Sequence, residues 1–260
     1  MNIEGTVALV TGAGSGIGRA TAQRLAREGA TVAVNDIDDA RALDSVRIIE
    51  REGGRAVPVS ADVASDRDVR RMVSDVCACF GRLNILVNNA GVVEAGITPR
   101  VVFPELEPER WLRVLDVNVK GVLLGTQHAI AAMRNTGGGV IINISSMAGV
   151  GVGPHPAPVY AASKAAIVRF TAALAPLSRR LNIRVNCICP DWVDTPMVQR
   201  TRAAVSAVEW RAMAPAVMTQ PAEIAEAVVT IVNDDGLAGR VMLCVGPKPW
   251  RFVDPPKPPR

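Results

Sequence analysis

Aromatic side chains are scarce in this 260-residue chain: Phe, Trp and Tyr together make up 3% of it. A core of ordinary size must then be filled by Val, Ile, Leu and Ala, which suits a parallel sheet covered by helices on both faces. Lysine is rare as well. Lys120, Lys164, Lys248 and Lys257 are the only four among 29 basic residues. The formal net charge is only +4, and the arginines are spread along the chain, which argues for a solvated charged surface and against a nucleic-acid face. Five cysteines fall as two Cys-x-Cys pairs plus Cys244. With no Cys-x-x-Cys and no histidine cluster, neither zinc nor a disulfide framework is expected, and the thiols read as reduced. No apolar run approaches the ~18 residues that span a membrane. No targeting segment precedes the first strand, so a cytoplasmic location is expected.

What is present begins with a strand, a glycine turn and a helix. Thr6 to Val10 is a short apolar run that reads as a buried strand. It meets Thr11-Gly12-Ala13-Gly14-Ser15-Gly16-Ile17-Gly18, after which Ile17, Ala20, Thr21, Arg24 and Leu25 recur at helical spacing up to Gly29. Glycines at such a turn let backbone amides approach a pyrophosphate, and the helix N-terminus adds positive potential. Thr31 to Asn35 reads as the second strand, with Asp36 at its end about 20 residues after the turn. A carboxylate there can accept hydrogen bonds from a ribose 2′-hydroxyl and would repel a 2′-phosphate by roughly 1–4 kcal/mol at ~4 Å. The following run, Ile37-Asp38-Asp39, offers no immediate basic residue, which favours NAD over NADP; Asp38 or Asp39 can also serve as a helix N-cap.

Strands and helices then alternate. Helices are expected over about 39–52 and 66–80, with strands at Ala56 to Ser60 and Ile85 to Asn88. A loop of above-average length covers 92–107. A long helix runs from Glu109 to about Arg134 with Asn118 inside it, where an amide competes for backbone groups. Val140 to Ile144 delivers Ser145 and Ser146, and a Gly/Pro-rich link containing His155 leads into a helix over 159–180, which Pro176 ends early or kinks. His155 reads either as a substrate contact or as a surface-loop histidine. Ile183 to Ile188 is a sixth strand, 196–220 a helical insertion, Pro221 the start of another helix, and Val241 to Val245 a last strand. The pattern implies right-handed βαβ units and an α/β fold of one domain over 1–245. A substrate lid is expected at about 194–220, and a Pro-rich tail at 246–260.

Tyr160 and Lys164 sit four apart, on one face of a helix. Tyr160 is the only tyrosine of the chain. A phenol keeps its proton until about pH 10; a neighbouring cation lowers that value, and a tyrosine so tuned can exchange a proton with an alcohol.

Thr11-Gly12-x-x-x-Gly16-x-Gly18, Asn88-Asn89-Ala90-Gly91, Asn118, Ser146 and Tyr160-x-x-x-Lys164, in this order, resemble the short-chain dehydrogenase/reductase family over about residues 3–245. The resemblance implies a Rossmann-type, doubly wound sheet of about seven parallel strands with helices on both faces, a nicotinamide cofactor, and hydride exchange with an alcohol or ketone. Carried over, Gly12, Ser15, Gly16, Ile17 and Gly18 would line the pyrophosphate. Asp36 and Ile37 would hold the adenosine ribose, Asp62 and Val63 the adenine, and Asn89, Ala90 and Gly91 would back the cofactor. Val193 and Thr195 would meet the carboxamide. The catalytic tetrad would be Asn118, Ser146, Tyr160 and Lys164, with Ser146 at the substrate oxygen, Tyr160 as acid/base, and Lys164 tuning it and binding the nicotinamide ribose. Asn118 would hold a proton-relay water. Ser146 is preferred over Ser145 because Ser146-x-x-Gly149 matches the family run. A homotetramer, or a homodimer, is implied.

Three departures stand out. Ser146 and Tyr160 are fourteen apart, more than is usual in the family. Pro190-Asp191 replaces Pro-Gly; should that position require positive φ, Asp tolerates it better than most residues, and it adds charge near the nicotinamide. Val245-Gly246-Pro247 replaces Asp-Gly-Gly. Val150, Val152, Trp192, Met197 and the insertion suggest a lipophilic secondary alcohol (steroid-, fatty- or terpenoid-like), unless they are lid and core residues. The run from Cys187 to Thr195 is similar to that of prostaglandin-type dehydrogenases. The expectation is therefore an NAD-dependent dehydrogenase. The alternatives are a 3-oxoacyl thioester reductase using NADPH, or a non-catalytic nucleotide-binding regulatory protein on the same fold.

Overall fold

The computed structural model describes residues 1–94, 104–246 and 249–253. Most of the expected 92–107 loop and the end of the Pro-rich tail lie outside the described residues. The chain alternates β1 (Val7–Val10), α1 (Gly16–Arg27), β2 (Thr31–Asp36), α2 (Asp39–Arg51), β3 (Arg55–Ser60), α3 (Asp66–Phe80) and β4 (Ile85–Asn88). It continues with α4 (Pro108–Leu115), a π-helical turn (Asp116–Lys120), α5 (Gly121–Met133), β5 (Gly139–Ile144), α6 (Pro158–Ala173), α7 (Leu177–Leu181) and β6 (Ile183–Pro190). Helices α8 (Pro196–Ala204), α9 (Ala207–Met213) and α10 (Pro221–Asn233) precede β7 (Val241–Cys244) and β8 (Arg251–Phe252).

The sheet order is β3-β2-β1-β4-β5-β6-β7-β8. All neighbours are parallel except β7 and β8. The order reverses between β1 and β4, so the carboxyl ends of those strands open the crevice in which ligands bind in such sheets. Alternation along β1 decides the two layers. Ala8 and Val10 face α1 and α10 through Leu25, Ala22, Ile224 and Val228. Val7 and Leu9 face α3 and α5 through Met72, Val76, Ala129 and Met133. Pro58 lies within β3, at the sheet edge, where a missing N–H breaks no ladder.

Two expectations are corrected here. The sheet has eight strands, because Arg251 and Phe252 of the expected tail pair antiparallel with Leu243 and Met242. Trp250 and Phe252 pack on the core, and the Arg240 guanidinium lies 5.3 Å from the Phe252 ring centre; apolar burial overrides what the Pro-rich composition suggests. The long helix from Glu109 is also not continuous α: the hydrogen-bond register widens over Asp116–Lys120, centred on Asn118. Pro176 does separate α6 from the short α7. The insertion folds as α8 and α9, and among the described residues no helix is long and apolar enough to cross a membrane.

A buried polar chain ties the middle of the molecule together. Asn88 Nδ2 donates to Asn143 Oδ1 at 2.9 Å and to Thr126 Oγ1 at 3.1 Å, and Asn143 Nδ2 donates to Thr171 Oγ1 at 3.0 Å. These bonds fasten β4 and β5 to α5 and α6, and buried amides so satisfied specify one packing arrangement.

Candidate active site

A cleft of about 330 Å³ runs along the carboxyl ends of the strands. Its lining takes in Asp36, Ile37, Asp62 and Val63 at one end, Ser146, Tyr160, Lys164, Asp191, Val193 and Thr195 at the other, and Gly12, Ser15, Gly16, Ile17, Asn89, Ala90 and Gly91, of which Gly16 approaches Thr195 and Gly91 approaches Lys164. Gly12 and Gly16 have φ of +62° and +54°, the left-handed region that glycine enters without strain. A Cβ on Gly12 would meet Ala90 Cα at 2.8 Å, so no larger residue fits. Ser15 stands at the N-cap of α1 without a side-chain cap bond, which leaves first-turn N–H groups directed at the cleft for an anion. The glycine turn and the open helix end fit the pyrophosphate of a dinucleotide.

Gly18 does not line the cleft. A Cβ there would collide with the Asn89 amide and Gly12 O, so this glycine serves the close approach of α1 to the β4 turn. Asn89 Nδ2 in turn donates to Thr11 O at 2.8 Å and Gly12 O at 3.1 Å.

At the end of the cleft formed by β2, Asp36 accepts the Gly14 N–H at 2.9 Å through Oδ2 and the Asp38 N–H at 3.1 Å through Oδ1. Part of its hydrogen-bonding capacity therefore stabilises the turn. Asp38 caps α2. Arg41 also lines this end, paired with Asp38 at 3.1 Å; absent from the immediate run after Asp36, it arrives by one turn of α2. Asp62 accepts from Ala64 N at 2.9 Å and pairs with Arg113 at 3.2 Å.

At the other end, β5 delivers two serines with different partners. Ser145 Oγ donates to Lys164 O at 2.8 Å, tying β5 to α6. Ser146 is hydrogen-bonded to the Tyr160 phenol and accepts the Ala148 N–H at 3.2 Å. Tyr160 is half-buried with its phenol end enclosed. Burial pushes the phenol up, the Ser146 bond pulls it down, and the Glu94 charge pushes it up again. Lys164 is buried, donates to Ile144 O at 2.9 Å and lies 5.6 Å from the Tyr160 ring centre. Burial lowers its ammonium to about 8.

Asn118 is fully buried and lies behind the cleft rather than on its wall. Its Nδ2 donates to Val92 O at 2.8 Å and Ser163 Oγ at 3.0 Å, and its Oδ1 accepts the Val92 N–H at 2.8 Å. Ser163 Oγ then donates to Tyr160 O at 2.7 Å. Asn118 thus joins the loop after β4 to the helix that carries Tyr160.

Asp191 lines the cleft, and its carboxyl is pushed up by burial and drawn down by the Trp192 N–H. Asn182 is the only described non-glycine residue with positive φ, so Asp191 occupies the family's glycine position without backbone strain. Val193 and Thr219 form a parallel bridge, and Thr195 caps α8 while packing toward Gly16. Of the apolar candidates, Met197 lines the cleft. Val150 packs on the cluster beneath α6, and Val152 is fully exposed and remote from the cleft. The His155 ring stacks at 6.3 Å from Tyr160.

Two residues at the site carry no motif signal. Arg200 of α8 lines the cleft. Glu94 is buried, and its Oε1 accepts the Tyr160 N–H at 2.9 Å; position three residues after Gly91 is all the sequence offers for it.

Residues 6–206 match the family model described as short chain dehydrogenase. The chain is 37% identical over 228 residues to a cis-4-hydroxycyclohexanecarboxylate dehydrogenase of Sinomonas cyclohexanicum, covering 88% of this chain and 89% of that one. It is 38% identical over 243 residues to a (3R)-3-hydroxyacyl-CoA dehydrogenase of Mus musculus, covering 90% and 92%. A crystal structure of 3-ketoacyl-(acyl-carrier-protein) reductase from Brucella melitensis complexed with NADH superposes with a TM-score of 0.81 at 33% identity, covering 93% and 96%. The match of residues 6–206 to that family model, and these relatives over most of its length, make the chain a member of the short-chain dehydrogenase/reductase family and an oxidoreductase acting on CH–OH groups.

Proposed function

We propose that the protein is an NAD-dependent dehydrogenase/reductase of secondary alcohols and their ketones, with a lipophilic substrate. The observation that carries this reading is the single cleft that holds the glycine turn, Asp36 and Asn89 to Gly91 together with Ser146, Tyr160 and Lys164. When bound, the nicotinamide supplies the hydride acceptor or donor. Gly12, Ser15, Gly16 and Ile17 hold the pyrophosphate, Asp36 the adenosine ribose, Asp62 and Val63 the adenine, and Val193 and Thr195 the carboxamide.

The residues of the chain handle the proton. Ser146 binds the substrate oxygen and hydrogen-bonds the Tyr160 phenol. Tyr160 takes the hydroxyl proton during oxidation and returns it during reduction. In the free protein burial holds the phenol protonated, which suits donation; a positive ring and the Lys164 ammonium alongside lower it for the reverse step. Both N–H groups of the Asn118 amide are engaged, which leaves one lone pair of Oδ1 for a relay water. Met197, Val193 and Val198 give the cleft apolar wall near this end, in keeping with relatives named for cyclic alcohols.

Arg41 supports a second reading, an NADPH-using 3-oxoacyl thioester reductase, since a guanidinium beside Asp36 can pair with a 2′-phosphate. Calorimetric titration with NADH and NADPH separates the two. Tighter NADH binding is the expected result, and tighter NADPH binding establishes the second reading. Tyr160→Phe is expected to lower turnover by at least about 100-fold with cofactor affinity unchanged. Full turnover in that variant removes Tyr160 from the mechanism, and failure to bind either nucleotide favours a regulatory role on the same fold.

A further inference from the structure

Glu94 is a buried acid that the proton chemistry above leaves without a task. It is 5% exposed and lies three residues beyond Gly91, where the chain leaves the cofactor end of β4. Its Oε1 accepts the N–H of Tyr160 at 2.9 Å. Tyr160 is the third residue of α6, and the N-cap residue Ala157 has no side-chain acceptor to offer. First-turn N–H groups have no partner inside their own helix, so a carboxylate 66 residues away in sequence caps this one. A helix N-terminus also favours negative charge.

The second oxygen is informative. Glu94 Oε2 is buried and has no hydrogen-bond partner among the described residues. An uncompensated carboxylate oxygen is costly to bury. A glutamine would satisfy the Tyr160 N–H equally well without burying a charge, so capping alone does not account for an acid here.

We propose that Glu94 is a positioning residue for Tyr160, clamping the first turn of α6 to the end of β4 and placing a fixed negative charge at the backbone N–H of the residue that carries the phenol. This rests on the reading of Tyr160 as the acid/base group. The charge opposes phenolate formation, in the direction already imposed by burial, so that in the reducing direction the tyrosine enters the reaction carrying its proton. Ser163 Oγ, itself held by Asn118, donates to the Tyr160 carbonyl while Glu94 accepts the Tyr160 N–H; the peptide groups on either side of Tyr160 are thereby tied to the segment after β4, directly through Glu94 and through Asn118 by way of Val92.

Tyr160 is the only tyrosine, which allows a test without substrate. Protein labelled with ¹³C at tyrosine Cζ gives one resonance whose pH dependence reports Tyr160 ionisation. In Glu94→Gln the ionisation midpoint is expected to fall by about half a pH unit or more, with unchanged circular dichroism. Glu94→Ala is expected to show the same fall and in addition to melt a few degrees below Glu94→Gln, because it also loses the cap. A wild-type midpoint in both variants overturns the electrostatic role, and equal melting of the two overturns the clamp. Turnover of Tyr160→Phe is read separately. If that variant stays active the acid/base reading fails, whereas an inactive Tyr160→Phe beside unchanged Glu94 variants refutes only the role of Glu94.

Discussion

The indoles of Trp192 and Trp210 meet edge to face with ring centres 5.4 Å apart. Trp192 follows the last residues of β6, whereas Trp210 lies on α9, a helix with no fully buried residue. The segment between them leaves the sheet where Asp194 N donates to Thr219 O and Thr219 N to Trp192 O, both at 2.9 Å. The Arg202 guanidinium sits 5.7 Å from the Trp210 ring centre. The insertion is therefore pinned at its base by backbone bonds and along its length by one aromatic contact.

Trp210→Ala should loosen that insertion without touching the proton-transfer groups. An aromatic pair contributes about 0.5–1.5 kcal/mol beyond its buried area, so KM for a cyclic secondary alcohol should rise about 2- to 10-fold with kcat nearly constant. Steady-state kinetics with cyclopentanol and NAD measure the split. An unchanged KM would place α9 outside substrate binding.

Asp36 and Arg41 stand together on the wall of the cleft. Removing the carboxylate lifts a repulsion of roughly 1–4 kcal/mol toward a 2′-phosphate and leaves Arg41 to pair with it. Asp36→Ala should thus raise NADPH affinity relative to NADH by at least about tenfold. Adding Arg41→Ala should cancel most of that gain. Calorimetry on the single and double variants is the measurement, and an unmoved ratio in Asp36→Ala would show that the carboxylate does not select the cofactor.

Lys164 is buried at the expense of stability. Burial lowers it from 10.5 to about 8, so between those values the unfolded chain binds more protons than the folded one, and stability rises with pH across that window. Below about pH 8 both states are protonated and the full cost of burying the ammonium, roughly 3 kcal/mol, is present. Lys164→Met should therefore melt above the wild type at pH 7, less what the lost bond to Ile144 O contributes. The advantage should shrink as pH climbs toward 10.5. Melting curves of the nucleotide-free proteins test the trend; a difference independent of pH would mean that Lys164 is not neutralised by burial.

Much of the architecture is written in local patterns. Runs such as Ile85 to Asn88 and Val140 to Ile144 are apolar enough to mark buried strands, and the helical spacing between them marks crossovers. The bounds of α3 and β4 are readable to the residue, because an abrupt change of period coincides there with Ser65 as a cap and Gly81 in the left-handed region. The Asn118 anomaly is legible too, as a polar residue inside an apolar helical pattern; the π turn centred on it is not, nor are its two bonds to the backbone of Val92, 26 residues away.

What the sequence by itself determined is what depends on neighbours in the chain: the glycine turn between β1 and α1, the alternation of strands and helices, and the i, i+4 placement of Tyr160 and Lys164 on one helix. Tertiary structure alone decided the rest. Glu94 reaches the Tyr160 N–H across 66 residues, Arg41 enters the cleft by the packing of α2, Gly18 turns out to serve packing against Asn89, and Arg251 with Phe252 adds an antiparallel edge to the sheet. The physical reason is common to all four. Dihedral preference and hydrophobic period act over a few residues and repeat along the chain. A single hydrogen bond, ion pair or buried ring leaves no period, and its partner is chosen only when the layers have closed.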